Sequence, residues 1–256
     1  MDCKSFIEKI LFLFKRVPSY EEYLSNEDTP EGVEHVYDMS RASLGDLPWM
    51  SGYTKNYEEG IDPEFRTSLP WDQDGFDAQN ITQIPGEYLK LTKPAGVHTK
   101  DALLYSNFSM KHGTVRALVK MPKVKGAFSA FWLFDGLPEL DILEHCGQWK
   151  RKYACTHHWG YDYGEDYGKK STLHNTRFNF KLNFNSDWYV LEAEVSPYKV
   201  VYKINGVKVR SVKRGVPSGE LHIILNVGYG EYCNSKEGVI EDADLLVKWV
   251  KTYTKN

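Results

Sequence analysis

From about residue 65 onward the chain is divided into strand-length segments, and no helical period separates them. Each segment alternates apolar and polar residues or forms a short apolar run, and turn residues bound it. The Asn205-Gly206 pair is a strong hairpin signal. Such a pattern predicts an all-β fold, an antiparallel β-sandwich of the jelly-roll kind. The clearest predicted strands are Gly86–Lys93, His112–Pro122, Gly126–Phe134, Tyr153–Gly160, Trp188–Val195, Lys199–Asn205, Leu221–Tyr229 and Leu245–Tyr253.

Residues 1–60 differ from the rest of the chain. A helical pattern runs from about Ser5 to Arg16, and a polar, acidic stretch containing Pro30 and Gly32 follows it. The apolar run at positions 10–14 is too short to span a membrane, and no small-residue cleavage site follows, so an amphipathic helix is favoured over a degenerate signal peptide. We predict an N-terminal extension at 1–60, partly helical and partly irregular, and a main domain at 61–256.

Composition narrows the classes of function. The 256 residues carry a net charge of −3 with acids and bases intermixed, and no basic block indicates nucleic-acid binding. The four cysteines match neither a disulfide scaffold nor a zinc site. Cys146 and Cys155 flank a predicted hairpin and could pair across it, but free buried cysteines are the favoured interpretation.

The segment Glu139-Leu-Asp-Ile-Leu-Glu144 carries three acids among aliphatic residues. In a regular strand Glu139 and Asp141 share a face, whereas Glu144, five residues from Glu139, would point into the core. Burying an unpaired carboxylate there would be costly. One extra residue near Ile142-Leu143, accommodated as a β-bulge, returns Glu144 to the face of the other acids. We therefore predict a bulged strand with all three carboxylates on one surface.

These residues and their neighbours resemble glycoside hydrolase family 16, the laminarinase, agarase and carrageenase group. The family signature E-x-D-x-x-E matches Glu139–Glu144 and follows Ser129–Phe134, which is similar to the family's P-A-F-W-L-L. Further blocks fall in the family's order: His112–Pro122, Thr156–Gly160, Asp187–Glu194, Tyr202–Val207, Leu225–Gly228 and Val247–Tyr253. The match covers roughly residues 65–254.

The resemblance implies a jelly roll whose concave sheet forms a polysaccharide cleft, and retaining hydrolysis of internal β-glycosidic bonds. By resemblance Glu139 is the nucleophile, Glu144 the general acid/base, and Asp141 the group that positions and tunes Glu139. Repulsion among three adjacent carboxylates is consistent with this, because at least one should hold a proton near neutral pH. The family often carries a convex-side calcium ion, but no acidic loop here demands one, so no metal ligand or cofactor is predicted. We expect a monomer that acts on an extracellular or cell-surface polysaccharide.

Four residues are candidates for sugar contact. Trp132, His157 and Trp159 offer aromatic faces or a hydrogen-bond donor, and Asn226 places an amide among apolar residues. His157 and Trp159 share a strand face and are predicted to face the sugar, on a strand next to the acidic one. For Trp132 a place in the core is an equal alternative, and Asn226 could instead satisfy a backbone group. His158 is interpreted as structural, and Trp188 and Trp249 as core residues.

More than one substrate class fits the sequence. β-1,3-Glucan is favoured as the broadest substrate of the family, and algal galactans are the main rival, for which Arg116 or Arg151 could bind sulfate. Thr114, Arg116 and Leu118 depart from the family's polar strand, and the loop from Asp135 to Pro138 is short, so one cleft wall could be low. Two functions outside hydrolysis also fit: a non-catalytic sugar-binding module, which would not need both glutamates, and an interaction protein acting through residues 1–60.

Overall fold

The computed structural model describes residues 12–41, 44–51, 75–96, 98–134, 138–159, 175–179, 181–184, 186–230, 233 and 238–255. Residues 5–11 of the predicted N-terminal helix and residues 135–137 of the predicted short loop lie outside these ranges. Helical structure in the described part is confined to residues 12–14, one α-helix, α1 (Tyr20–Ser25), two 3-10 turns at Leu44–Asp46 and Ala78–Asn80, and a 3-10 conformation at residue 233. Within these ranges, no helix has the length and apolar character needed to cross a bilayer.

The described residues form fifteen strands. In chain order they are β1 (Val33–Asp38), β2 (Trp49–Ser51), β3 (Ile81–Ile84), β4 (Tyr88–Lys93), β5 (Ala102–Met110), β6 (Gly113–Lys120), β7 (Ala127–Phe134), β8 (Glu139–Cys146), β9 (Lys152–His158), β10 (Asn175–Phe178), β11 (Tyr189–Ser196), β12 (Lys199–Ile204), β13 (Val207–Val212), β14 (Leu221–Tyr229) and β15 (Ala243–Thr254).

The strands form two antiparallel sheets packed face to face, as predicted. One sheet has the order β13-β12-β11-β6-β15-β4-β3, with β1 also paired to β15, and the other has the order β10-β9-β8-β7-β14-β5-β2. The core between them combines residues such as Val115 and Leu191 from the first sheet with Phe131 and Leu225 from the second. The β12–β13 hairpin turns at Asn205-Gly206, both with positive φ (44° and 73°), as the sequence predicted.

The described part of residues 12–51 contributes a strand to each sheet. β1 pairs along β15 in one sheet, and β2 pairs with β5 in the other. Phe12 is buried in the common core, and its carbonyl accepts a hydrogen bond from the Asn179 amide (2.6 Å). The part predicted to be helical and irregular therefore supplies two strands. The sequence pattern missed β1 because four of its six residues are exposed and show no apolar alternation.

The favoured interpretation, a buried free thiol, holds for Cys155, whereas Cys146 forms a disulfide that was not predicted. Cys146 is bonded to Cys233, 87 residues away, while Cys155 is free and buried. Cys146 lies two residues after Glu144 and shares its face of β8, whereas Cys155 belongs to the core between the sheets. Because the Cys146 and Cys155 side chains leave their neighbouring strands on opposite faces, they cannot form the cross-hairpin bond that was the alternative to free cysteines.

A buried ion pair closes the start of β5. Lys93, at the end of β4, has no exposed side-chain surface, and its Nζ lies 2.8 Å from Asp101 Oδ1. The ammonium also donates to the Thr99 carbonyl. Gly228 makes room for the acid, since a Cβ there would lie 1.9 Å from Asp101 Oδ2.

Lys93→Met is therefore expected to destabilise the protein by about 3–5 kcal/mol, because it leaves a buried carboxylate without its counter-charge. Urea unfolding measures the loss. The double variant Lys93→Met with Asp101→Leu removes both charges and should recover a large part of it. A single variant within about 1 kcal/mol of the wild type would contradict the assignment.

Candidate active site

The bulge predicted in the acidic strand is present. On β7 the consecutive residues Phe131 and Trp132 pair with Leu143 and Asp141, so Ile142 has no opposite residue. The register between β8 and β9 shifts over the same interval. Both Ile142 and Leu143 consequently enter the core. The extra residue brings Glu144 back to the surface that carries Glu139 and Asp141, which we call the acidic face of the seven-stranded sheet.

The three acids differ in burial. Glu139 and Asp141 are 6% and 5% exposed, whereas Glu144 is half-buried and accepts a hydrogen bond from the Thr156 hydroxyl. Burial and the neighbouring Glu144 carboxylate raise the pKa of Asp141 well above its ordinary value, and a hydrogen bond with Glu139 and the Arg210 charge oppose this only in part. Asp141 thus keeps its proton at pH values where an ordinary aspartate is ionised, which supplies the shared proton expected of such a cluster.

His158, interpreted from the sequence as structural, lies on the acidic face. The β8–β9 ladder pairs it with Glu139, and its Nε2 lies 3.4 Å from Asp141 Oδ2. Possible ligand atoms of Glu139, Asp141 and His158 all lie within 4.8 Å of one another. This set could hold a metal ion, but the hydrogen bond between Glu139 and Asp141 also accounts for the short spacing.

His157 points the other way, so the prediction that it contacts sugar is wrong. Its side chain is fully buried between the sheets, where Nδ1 lies 3.0 Å from the Tyr202 hydroxyl and Nε2 lies 2.9 Å from the Gly215 carbonyl. A carbonyl can only accept, so Nε2 carries the proton and Nδ1 accepts from Tyr202. Burial lowers the pKa of His157 to about 4, and the ring is neutral. The core thus satisfies both nitrogens.

Trp159 lies on the side of His157 rather than with the acids. Its ring meets that of His157 edge to face at 5.4 Å, and a Cβ on Gly215 would collide with its Cγ. The prediction that His157 and Trp159 share a face is correct, but the face was assigned wrongly. Alternation along a strand determines which residues share a face. The pairing of that strand with its bulged neighbour determines whether this face lies in the core or beside the acids.

Trp132 and Asn226 lie on the acidic face beside the carboxylates. Trp132 is opposite Asp141, and Asn226 is opposite Ala130, which in turn pairs with Glu144. The indole N–H donates to Asn226 Oδ1 at 2.9 Å. Only 4% of Trp132 is exposed, and its ring packs in an apolar cluster with Phe134 and Ile224. The two residues form one unit beside the acids, and sugar contact by them stays a prediction.

The strand that departs from the family pattern is far from this face. Arg116 lies on β6 in the other sheet, on the side away from the core, and bonds Glu192 and Glu27 at 2.5 Å each. The prediction that Arg116 could bind a sulfate in the cleft is therefore wrong.

The prediction that Trp188 and Trp249 are core residues is also wrong. Both are only half-buried, and the ammonium groups of Lys248 and Lys251 lie over the rings of Trp188 and Trp249, respectively.

His158→Ala is expected to lower turnover by about 10- to 100-fold, because a hydrogen bond to a charged or shared-proton group contributes about 1.5–3 kcal/mol. The loss should appear in kcat and leave KM nearly unchanged, since the imidazole contacts Asp141. His35→Ala, on the exposed edge strand β1, is the matched control. Turnover of His158→Ala within twofold of the wild type would remove His158 from the site.

A β-sandwich in which one sheet presents two glutamates and an aspartate of raised pKa is suited to cleaving glycosidic bonds. The sequence profile of the family "Glycosyl hydrolases family 16" matches residues 70–236 of this chain. The protein therefore belongs to glycosyl hydrolase family 16 and is a glycoside hydrolase, as the sequence resemblance predicted.

Solved structures share the fold. The laminarinase catalytic domain from Thermotoga maritima MSB8 is similar with a TM-score of 0.66 and 16% identity, over 90% of this chain and 100% of that chain. The laminarinase catalytic domain from Thermotoga petrophila RKU-1 has a TM-score of 0.68 and 16% identity, with the same coverage. The Bacillus licheniformis β-glucanase has a TM-score of 0.65 and 16% identity, again with the same coverage. No curated protein matches the sequence.

Proposed function

We propose that this protein is a retaining endo-glycanase that cleaves internal β-1,3 linkages of a β-glucan. The observation that carries the proposal is the bulge in β8, which puts Glu139 and Glu144 on one face with Asp141, whose pKa is raised, between them. Retaining hydrolysis uses two carboxyl groups on either side of the scissile bond. The laminarinases among the similar structures support the choice of a β-1,3-glucan.

The two glutamates differ in ways that suit two roles. Glu139 is almost fully buried and hydrogen-bonded to Asp141, an environment that fixes a nucleophile in place. Glu144 is more exposed, as a general acid/base must be if it is to exchange its proton with water in each catalytic cycle. The Thr156 hydroxyl holds the Glu144 carboxyl on the acidic face.

The reaction then proceeds in two displacements. Glu139 attacks the anomeric carbon as Glu144 protonates the departing glycosidic oxygen, and the C–O bond to the leaving chain breaks. Glu144, now ionised, removes a proton from water, which attacks the anomeric carbon and releases Glu139. The hydrogen bond between Asp141 and Glu139 holds the Glu139 carboxyl in position through both displacements. Trp132 and Asn226 are the proposed sugar contacts beside the acids.

The placement of Arg116 bears on the rival substrate. Sulfated algal galactans would require cationic side chains on the acidic face, and Arg116 lies on the other sheet, bonded to Glu27 and Glu192. A binding module without catalysis would have no need of two glutamates brought together by a bulge. The position of Arg116 removes one of the two arginines considered for sulfate binding, and the paired glutamates favour a hydrolase over a binding module.

The test is a reducing-sugar assay of the purified protein on laminarin, mixed-linkage glucan, agarose, carrageenan and porphyran. We expect cleavage of laminarin, early products of several sizes, and a first-formed β-anomer in the ¹H NMR spectrum. Inactivity on all five substrates would overturn the proposal, cleavage of a galactan alone would overturn the substrate, and a first-formed α-anomer would overturn the retaining mechanism.

A further inference from the structure

The bulge in β8 is supported from inside the sandwich. β9 pairs Thr156 with Asp141 and Ala154 with Glu144, so Cys155 stands opposite the bulged pair Ile142-Leu143. Its thiol donates to the Ile142 carbonyl with Sγ 3.0 Å from the oxygen. A bulge disrupts the regular ladder and leaves backbone groups without their usual partners, and a buried carbonyl needs a donor. The Cys155 thiol supplies one.

Arg210 reaches the same point from the other sheet. It lies on β13, where a register shift beside Tyr202 skips Val209, and it pairs with Tyr202, whose side chain is in the core. Arg210 is 8% exposed, and its Nη1 donates to the Cys155 carbonyl. Arg210, the Cys155 carbonyl and thiol, and the Ile142 carbonyl therefore form a chain of contacts from β13 through β9 to the bulge. We call this chain the interior clamp.

We propose that Arg210 and Cys155 are positioning residues for the catalytic acids: the interior clamp fixes the β8 bulge from behind, and Arg210 adds a positive charge on that side of the bulge. The clamp deepens the proposed function and rests on it. Neither residue lies on the acidic face. Both act through the backbone of the bulge, so their loss should alter kcat more than KM.

A role in stability alone would give a different result. A purely structural contact would change the free energy of unfolding without changing how the site titrates. The Arg210 charge lowers the pKa of Asp141, so its removal should raise that pKa further. The pH–activity profile should then move upward, since the loss of the positive charge makes the Asp141 carboxyl harder to ionise.

The experiment compares Arg210→Met with Arg210→Lys, and Cys155→Ala with Cys155→Ser. Arg210→Met should move the Asp141 titration and the pH–activity limbs upward by roughly half a unit, while Arg210→Lys, which keeps the charge, should move them less. Cys155→Ala should lower kcat by about fivefold with little change in KM, and Cys155→Ser, which keeps a donor, should recover most of it.

Arg116→Met is the matched control. It removes a buried arginine from the same sheet on the side away from the core. It should lower the free energy of unfolding and leave the pH limbs in place. Limbs that move equally in Arg116→Met and Arg210→Met, or in neither, would overturn the proposal, as would equal kcat for Cys155→Ala and Cys155→Ser.

The ¹³C NMR titration of the Asp141 carboxyl separates failure of the interior clamp from failure of the proposed function. It requires no substrate. If the wild type cleaves none of the five polysaccharides, the proposed function fails, yet an upward shift in Arg210→Met still supports the Arg210 charge effect. If the wild type is active and the Asp141 titration of Arg210→Met matches it, the clamp proposal fails and the proposed function stands.

Discussion

Glu139→Gln is expected to reduce polysaccharide cleavage by about 10⁴-fold or more, because an amide cannot form the glycosyl-enzyme ester. Gln has the same shape and can still hydrogen-bond to Asp141, so the fold should persist. The measurement is reducing-sugar release on the substrate that the wild type cleaves, with urea unfolding to verify the fold. Glu194→Gln is the matched control, since Glu194 is on the other sheet and pairs with Lys203 at 3.5 Å.

A second readout identifies the nucleophile. With Glu139→Ala, added azide can occupy the vacated space and attack the anomeric carbon from the same side as Glu139. The product should be the α-glycosyl azide, formed only in this variant. Near wild-type turnover in Glu139→Gln, or azide product from Glu144→Ala in the α configuration, would refute the assignment.

Glu144→Gln is expected to lose hydrolytic activity to an extent that depends on the leaving group of the substrate. On the polysaccharide, whose leaving alcohol needs a proton, activity should fall by about 10²- to 10⁴-fold. On an activated aryl glycoside such as a 2,4-dinitrophenyl derivative, the first step needs no proton, and glycosyl-enzyme formation should remain near the wild-type rate. Burst kinetics measure that step.

Glu139→Gln provides the contrast, because it should lose both activities. Equal losses on the polysaccharide and on the aryl glycoside in Glu144→Gln would contradict the acid/base role. A variant that lacks the Thr156 hydroxyl, which donates a hydrogen bond to Glu144, provides a milder form of the same test.

The shared face of the acids could be predicted from sequence because it depends only on the six residues of Glu139–Glu144. Glu144 had to be on the face of Glu139, and one extra residue is the simplest way to place it there. Patterns within short segments likewise predict the Asn205-Gly206 hairpin and most strands. Alternation and turn chemistry act over a few residues, so short segments of sequence contain them in full.

Errors arose where a side chain's position depends on contacts between distant segments. Strand parity grouped His157 with Trp159 correctly, but the ladder that pairs His158 with Glu139 decides which group meets the acids. The family resemblance suggested that Arg116 could lie near the cleft, but the sheet order places it on the sheet that does not carry the acids. Cys233 was not paired from sequence because 87 residues separate it from Cys146.

The residues covered by the family match do not include every strand of the two sheets, because β1 and β2 precede residue 70. A chain truncated at residue 70, where the match begins, would lack β1 from one sheet and β2 from the other. It would also lose Glu27, so Arg116 would keep only part of its counter-charge, and the β15 edge would be open to pairing with other chains. Recombinant versions of this enzyme, and any fusion partner joined to its N-terminus, should therefore retain the residues from Phe12 onward.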